Sequence, residues 1–221
     1  MKRSLFRRLW YAGTRNFFLA LMRYRYGVRF RYSGVERLPT TGAVLLAANH
    51  ESFLDPPAIG AGVPRMINYL ARESLFRANW FFGLHLRLIN VIPLELDGDN
   101  AAMIVGIRES VRRLRAGETL IVFPEGTRSE DGEIHTFRSG FVILANRTRC
   151  PILPVAVVGP FELLPRGSKK IRPGVVDVRF GEPIPSDQFT GMSREEIAAE
   201  VRSRVLAIQA ELREERKRPP T

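Results

Sequence analysis

From about residue 40 the apolar residues fall in short, nearly unbroken runs: AVLLAA at 43–48, INYLA at 67–71, INVIPLEL at 89–96, TLIVF at 119–123 and ILPVAVV at 152–158. Runs of this length predict strands, and those without alternation, such as TLIVF and ILPVAVV, predict strands buried on both faces. Between them the period changes to that of a helix. ESLFRANWFFGL reads as a helix leaving the second run. Asp99 or Asn100 caps a further one, in which Ile104, Ile107, Val111 and Leu114 recur at helical spacing until Gly117 stops it. After VVDVRF, Ser193 and Glu196 form a capping box for a last helix with Ile197, Val201, Val205, Ile208 and Leu212 on one side. Strand-like and helix-like stretches in alternation predict an α/β fold, a mostly parallel central sheet flanked by helices. This domain is expected over residues 39–215, with 216–221 as a flexible tail. Ligands gather at the carboxyl ends of strands in such sheets. Two polar clusters stand at such ends, NHESFLD after AVLLAA and PEGTRSEDG after TLIVF, and neighbouring strands would bring them into one cleft.

The first 38 residues have a different pattern. Wound as a helix, positions 4–17 place Arg7, Arg8, Tyr11, Thr14 and Arg15 on one side and Leu5, Phe6, Leu9, Trp10 and Phe17 on the other. Of the net charge of +11, almost all lies here, with ten Lys/Arg against the single acid Glu36. Basic and aromatic faces together predict an amphipathic arm over residues 1–38 that docks on anionic lipid. A core-packing helix and a protein-partner surface stand as alternatives, and nucleic acid finds no accompanying motif. The uncharged run from Asn16 to Met22 is too short to span a bilayer. Arg23, Arg25, Arg29 and Arg31 follow where a signal peptide would have its cleavage site. With Cys150 as the single cysteine, no internal disulfide can form. The expectation is a peripheral protein on the cytoplasmic face of a membrane, not a secreted one.

Candidate chemistry starts at NHESFLDPP, residues 49–57. On a continuous helix His50 and Asp55 would point about 140° apart. Pro56 disfavours the α region at Asp55, and Asp-Pro reads as N-cap and N1 of a short helix. His50 would then lie on the loop leaving the strand, with Asp55 folded back to it. Such a pair is a general base or, equally on spacing alone, a structural loop cap. No metal-ligand spacing and no G-x-S-x-G nucleophile accompany it. FPEGTRS, residues 123–129, adds a Pro-Glu-Gly turn at a strand end, close backbone approach at Gly126 and a forked cation at Arg128.

In this order, N-H-x-x-x-x-D (Asn49, His50, Asp55) and F-P-E-G-T-R-S (Phe123 to Ser129) resemble the glycerolipid acyltransferase family, typified by the 1-acylglycerol-3-phosphate acyltransferases. FRSGF at 137–141 is similar to that family's F-K-x-G, with Arg138 in place of Lys, while PILPVAV and FGEPI look like its later blocks. The resemblance covers about residues 30–215. It implies transfer of an acyl chain from acyl-CoA or acyl-carrier protein to a lysophospholipid hydroxyl, without metal or cofactor. His50 would be the general base and Asp55 its orienting carboxylate. Glu125, Gly126, Thr127, Arg128, Ser129 and Arg138 would hold the acceptor, with Asn49 and Pro124 supporting the site. One block departs. Where the family has G-x-I-P/F-x-D-R, this chain reads NVIPLEL, with Glu95 and Leu96 at the Asp and Arg positions. A phosphate contact is then missing unless Arg72, Arg138 or Lys169 replaces it. Two other readings follow, an acceptor without phosphate, such as an amino-acid or glycan lipid, and a catalytically idle membrane module.

Overall fold

The computed structural model describes residues 5–77, 79–94 and 100–218. Within them the strands are β1 (Val28–Ser33), β2 (Val44–Ala48), β3 (Ile67–Arg72), β4 (Val91–Leu94), β5 (Thr119–Val122), β6 (Ile152–Val158) and β7 (Gly174–Phe180). They form one sheet in the order β1-β7-β6-β2-β5-β3-β4, parallel throughout except between β6 and β7. The helices are α1 (Leu5–Tyr26), α2 (Asp55–Gly62), α3 (Ser74–Arg77), α4 (Trp80–Leu88), α5 (Asn100–Arg115), α6 (Val142–Thr148), α7 (Pro160–Leu163) and α8 (Arg194–Lys217).

The central strands show why unbroken apolar runs mark this architecture. Successive side chains point to opposite faces of a strand, and here both faces are covered. Leu45 and Ala47 of β2 enter one core with Val111, Leu114, Val142, Val201 and Val205 from α5, α6 and α8. Val44, Leu46 and Ala48 enter a second with Met22, Ala58 and Ile59 from α1 and α2. No helix among the described residues is long and apolar enough to cross a membrane.

Three expectations need correction. The arm does not stay separate to residue 38, because residues 28–33 are β1 and pair with β7. Asp177 on β7 fixes this edge, accepting from Arg31 Nε at 2.5 Å and Arg216 Nε at 2.5 Å. Nor does the tail begin at 216, since α8 continues to Lys217 with Arg216 held by that same carboxylate. Finally, ESLFRANWFFGL is two helices. The first ends at Arg77, and Asn79 caps α4, its Oδ1 accepting from the N–H of Phe81 at 2.9 Å and of Phe82 at 3.3 Å. The capping box at Ser193 and Glu196 is present on α8. The caps proposed at Asp99 or Asn100, and the departure at Glu95 and Leu96, lie outside the described side chains.

Candidate active site

β2 and β5 are neighbours in the sheet, so the two motifs leave adjacent strand ends side by side. His50 follows β2, and its Nδ1 lies 2.8 Å from Asp55 Oδ2. The same oxygen accepts the backbone N–H of Glu51 at 2.6 Å and of Ser52 at 2.7 Å. Asp55 is therefore the first residue of α2 and not its N-cap, and its carboxylate closes the loop behind it. Pro56 and Pro57 fill the first turn, where a missing N–H loses no helical hydrogen bond. Burial pushes the Asp55 carboxyl up, while the hydrogen bond and charge of His50 and the N–H groups of Ser52 and Glu51 oppose that rise.

The second motif holds His50 from the other side. Glu125 Oε1 accepts the His50 N–H at 2.8 Å, and Ser129 N donates to the His50 carbonyl at 2.7 Å. The Phe123 ring stacks on the imidazole with centroids 4.2 Å apart. With its backbone pinned at both groups, its ring supported on one face and Nδ1 engaged, His50 has Nε2 as its remaining ring nitrogen. Only 17% of its side chain is exposed.

The other expected site residues divide into two sets. Gly126, Thr127 and Arg138 are exposed, with the Arg138 guanidinium lying over Gly126, and Arg128 sits with its guanidinium 3.7 Å from the centroid of the Phe53 ring. Asn49, Pro124, Glu125 and Ser129 are buried beneath them. Asn49 bonds both backbone groups of Val157 on β6, and the Pro124 carbonyl accepts from Arg138 N at 2.9 Å. Ser129 closes its own turn, its Oγ accepting from Gly132 N at 2.9 Å. Both Glu125 oxygens are taken by backbone N–H groups, the second by that of His135 at 3.0 Å. Of the replacement cations considered for Leu96, Arg72 and Lys169 are exposed.

Glu51 lies under this loop, bonded to Asn49, to the N–H of Phe161 and to Gln209. Burial pushes its carboxyl well above the usual range, reinforced by the charge of Asp55. A group whose pKa rises on folding gives its full stability below the unfolded value and loses it as the pH climbs through the folded one. Glu51→Gln is therefore expected to equal the native chain in Tm near pH 4 and to exceed it by a margin that widens towards pH 8. A margin independent of pH in thermal melts would show that Glu51 ionises freely in the folded state.

One feature escaped the sequence reading. An apolar groove of about 300 Å³ runs between α1, α2, β3 and α4, with Phe18, Pro57, Gly60, Tyr69 and Leu86 in its wall. Phe53, three residues past His50 and directly under Arg128, lines it as well. The available signal was AIGAG in α2, where small residues leave room. A Cβ on Gly60 would stand 1.9 Å from the Tyr69 hydroxyl.

An imidazole–carboxylate pair thus stands at the carboxyl end of a doubly covered, mostly parallel sheet, next to an apolar groove. The chain belongs to the Acyltransferase family, whose model matches residues 29–158, and it is an acyltransferase. It is 29% identical over 167 residues to the 1-acyl-sn-glycerol-3-phosphate acyltransferase of Bacillus subtilis, covering 74% of this chain and 78% of that protein. The human 1-acyl-sn-glycerol-3-phosphate acyltransferase beta is 30% identical over 78% of this chain, which spans 62% of that longer protein. Among solved structures, the 1-acyl-sn-glycerophosphate acyltransferase PlsC of Thermotoga maritima superposes with a TM-score of 0.76 at 28% identity, over 93% of this chain and 81% of that one.

Proposed function

We propose that this enzyme transfers an acyl chain from acyl-CoA or acyl-carrier protein to the free hydroxyl of 1-acylglycerol-3-phosphate at a membrane surface, forming phosphatidic acid. The observation that carries the reading is the His50–Asp55 pair, 2.8 Å apart, beside a groove lined by Phe53, whose ring lies under the Arg128 guanidinium. Asp55 keeps the proton of the resting imidazole on Nδ1, leaving the Nε2 lone pair for the acceptor hydroxyl. As that oxygen attacks the thioester carbonyl, its proton passes to Nε2. The carbon–sulfur bond then breaks and the leaving thiolate takes the proton from the imidazolium. Neither metal nor cofactor enters, and His50 returns to its starting form. Glu125, spent on backbone N–H groups, acts as a strut, while Gly126, Thr127, Arg128 and Arg138 face the acceptor. The groove takes an acyl chain.

Among the described residues Arg128 makes no ion pair with a carboxylate, which suits a guanidinium awaiting phosphate. Arg128→Ala is expected to raise KM for the phosphate-bearing acceptor by about 10- to 100-fold, the equivalent of one charge-assisted hydrogen bond, with kcat nearly unchanged. The test of the whole reading is thiol release with purified enzyme, an acyl thioester and acceptors with and without phosphate. Equal rates on both kinds of acceptor would overturn the choice of substrate, and no transfer to any would overturn the activity.

The membrane reading rests on α1 being inside out for a globular helix. Tyr11 and Met22 are its buried residues and Thr14 and Arg15 line the groove, whereas Leu5, Phe6, Leu9, Trp10 and Phe17 face outward. A stripe of this kind turned away from the core needs an apolar partner, and the arginines around it favour anionic lipid over other partners.

A further inference from the structure

α4 carries a second outward apolar face. Trp80 and Phe81 are 67% and 66% exposed, with Leu84 exposed one turn on. Their rings stack at 3.7 Å. This face joins that of α1. Phe6 and Trp10 lie 6.0 Å apart, Trp10 and His85 lie 6.1 Å apart, and His85 stands one turn from Phe81 on α4. Arg7 Nη2 donates to the Arg87 carbonyl at 2.7 Å, clamping the two helices together. Burial lowers the His85 pKa, so this ring is uncharged at neutral pH.

The segment is built to hold this face outward. Gly83 packs so closely on α3 that a Cβ there would come within 2.4 Å of the Phe76 carbonyl oxygen, which fixes the roll of α4. Asn79 satisfies two N–H groups of the first turn, the ones that a low-dielectric medium would penalise most if left bare. Arg7 and Arg87 meet where the two helices join, Arg77 stands on α3 just before α4, and Glu73, the acid beside α3, is paired with Arg77 at 2.6 Å. Exposed Trp and Phe on helices that carry arginines match an anionic bilayer interface.

We infer that α4 is a second membrane-inserting element, Trp80, Phe81 and Leu84 entering an anionic bilayer beside Phe6, Leu9 and Trp10, so that the groove between the two helices opens into lipid. The inference deepens the membrane acyltransferase reading and rests on it. Phe82, exposed and lining the groove, stands at the junction of lipid and cavity. An acyl chain would then move from bilayer to groove without crossing water.

Trp10 and Trp80 are the only tryptophans, so Trp10→Phe leaves Trp80 as the sole reporter. Vesicles of phosphatidylglycerol and phosphatidylcholine with brominated acyl chains are expected to shift its emission to the blue and quench it. The double change Trp80→Ser with Phe81→Ser is expected to weaken binding to such vesicles by about tenfold or more. Its turnover of short-chain substrates below their micellar concentration should stay unchanged. Bound but unquenched Trp80 would overturn the inference, as would unaltered vesicle binding by the double variant. A dimer in sedimentation velocity that the double change dissociates, with Trp80 unquenched, would assign the face to a second copy instead. Failure of the native enzyme in the short-chain assay would count against the catalytic reading alone, since the quenching is read independently of turnover.

Discussion

His50→Ala is expected to lower acyl transfer by about 10²- to 10⁴-fold, the usual worth of general-base assistance, while leaving the fold in place. The separation of these two effects follows from how the loop is held. The structural duties at this position belong to the backbone, whose N–H goes to Glu125 and whose carbonyl accepts from Ser129. Alanine keeps both. What it loses is the ring, its stacking on Phe123 and its bond to Asp55, at a partly exposed site. Loss of the stacking costs at most about 1.5 kcal/mol and loss of the bond to the buried Asp55 about 1–3 kcal/mol, together a shift of roughly 5–15 °C in Tm for a chain of this size. Thiol release and a thermal melt on the same preparation decide the matter. Transfer within a few-fold of the native rate would remove His50 from the chemistry. A collapsed melt would mean that the ring, and not the backbone, holds the loop.

Much of the frame was readable in order along the chain, because the physics that marks it is local. Strands covered on both faces must be apolar at every position, so β2, β5 and β6 announced themselves as unbroken runs. The adjacency of β2 and β5 then placed the two motifs together. What stayed hidden depends on partners far away. In β1, VRFRYS looks like part of a basic arm, because the acid that accommodates Arg31 is Asp177, 146 residues on. The orientation of α1 could not be read either, since a helical pattern defines two faces without saying which one meets the protein. Glu125 looked like a substrate ligand because the Pro-Glu-Gly turn gives no hint that two backbone N–H groups, one 75 residues upstream, converge on its carboxylate. The groove is assembled from several separate segments of the chain, none of which is unusual alone.

Asp55 provides the second large effect, and two substitutions there should fail in different ways. Its Oδ2 serves three donors, His50 Nδ1 and the N–H groups of Glu51 and Ser52, while Oδ1 is buried with no partner among the described residues. In Asp55→Asn the amide oxygen takes the place of Oδ2, because an NH₂ there would face two backbone N–H groups. The loop closes as before and Nδ1 keeps its proton, but the negative charge that stabilises the imidazolium is gone. Transfer is expected to fall by about 10²- to 10⁴-fold. Stability should change little, and its sign is fixed by the burial that raises the Asp55 carboxyl. The native chain loses stability through this carboxyl as pH climbs above the ordinary carboxylate range, a loss the asparagine variant is spared, so Asn gains relative to the native chain towards pH 8. Asp55→Ala removes the acceptor altogether. Two buried N–H groups then lose their partner, at about 1–3 kcal/mol each, which lowers Tm by about 5–20 °C as well as abolishing transfer. Melts and thiol-release rates of the two variants side by side separate catalysis from folding. An active asparagine variant would show that orientation of His50 suffices without charge, and an alanine variant as stable as the native chain would show that the loop does not depend on Oδ2.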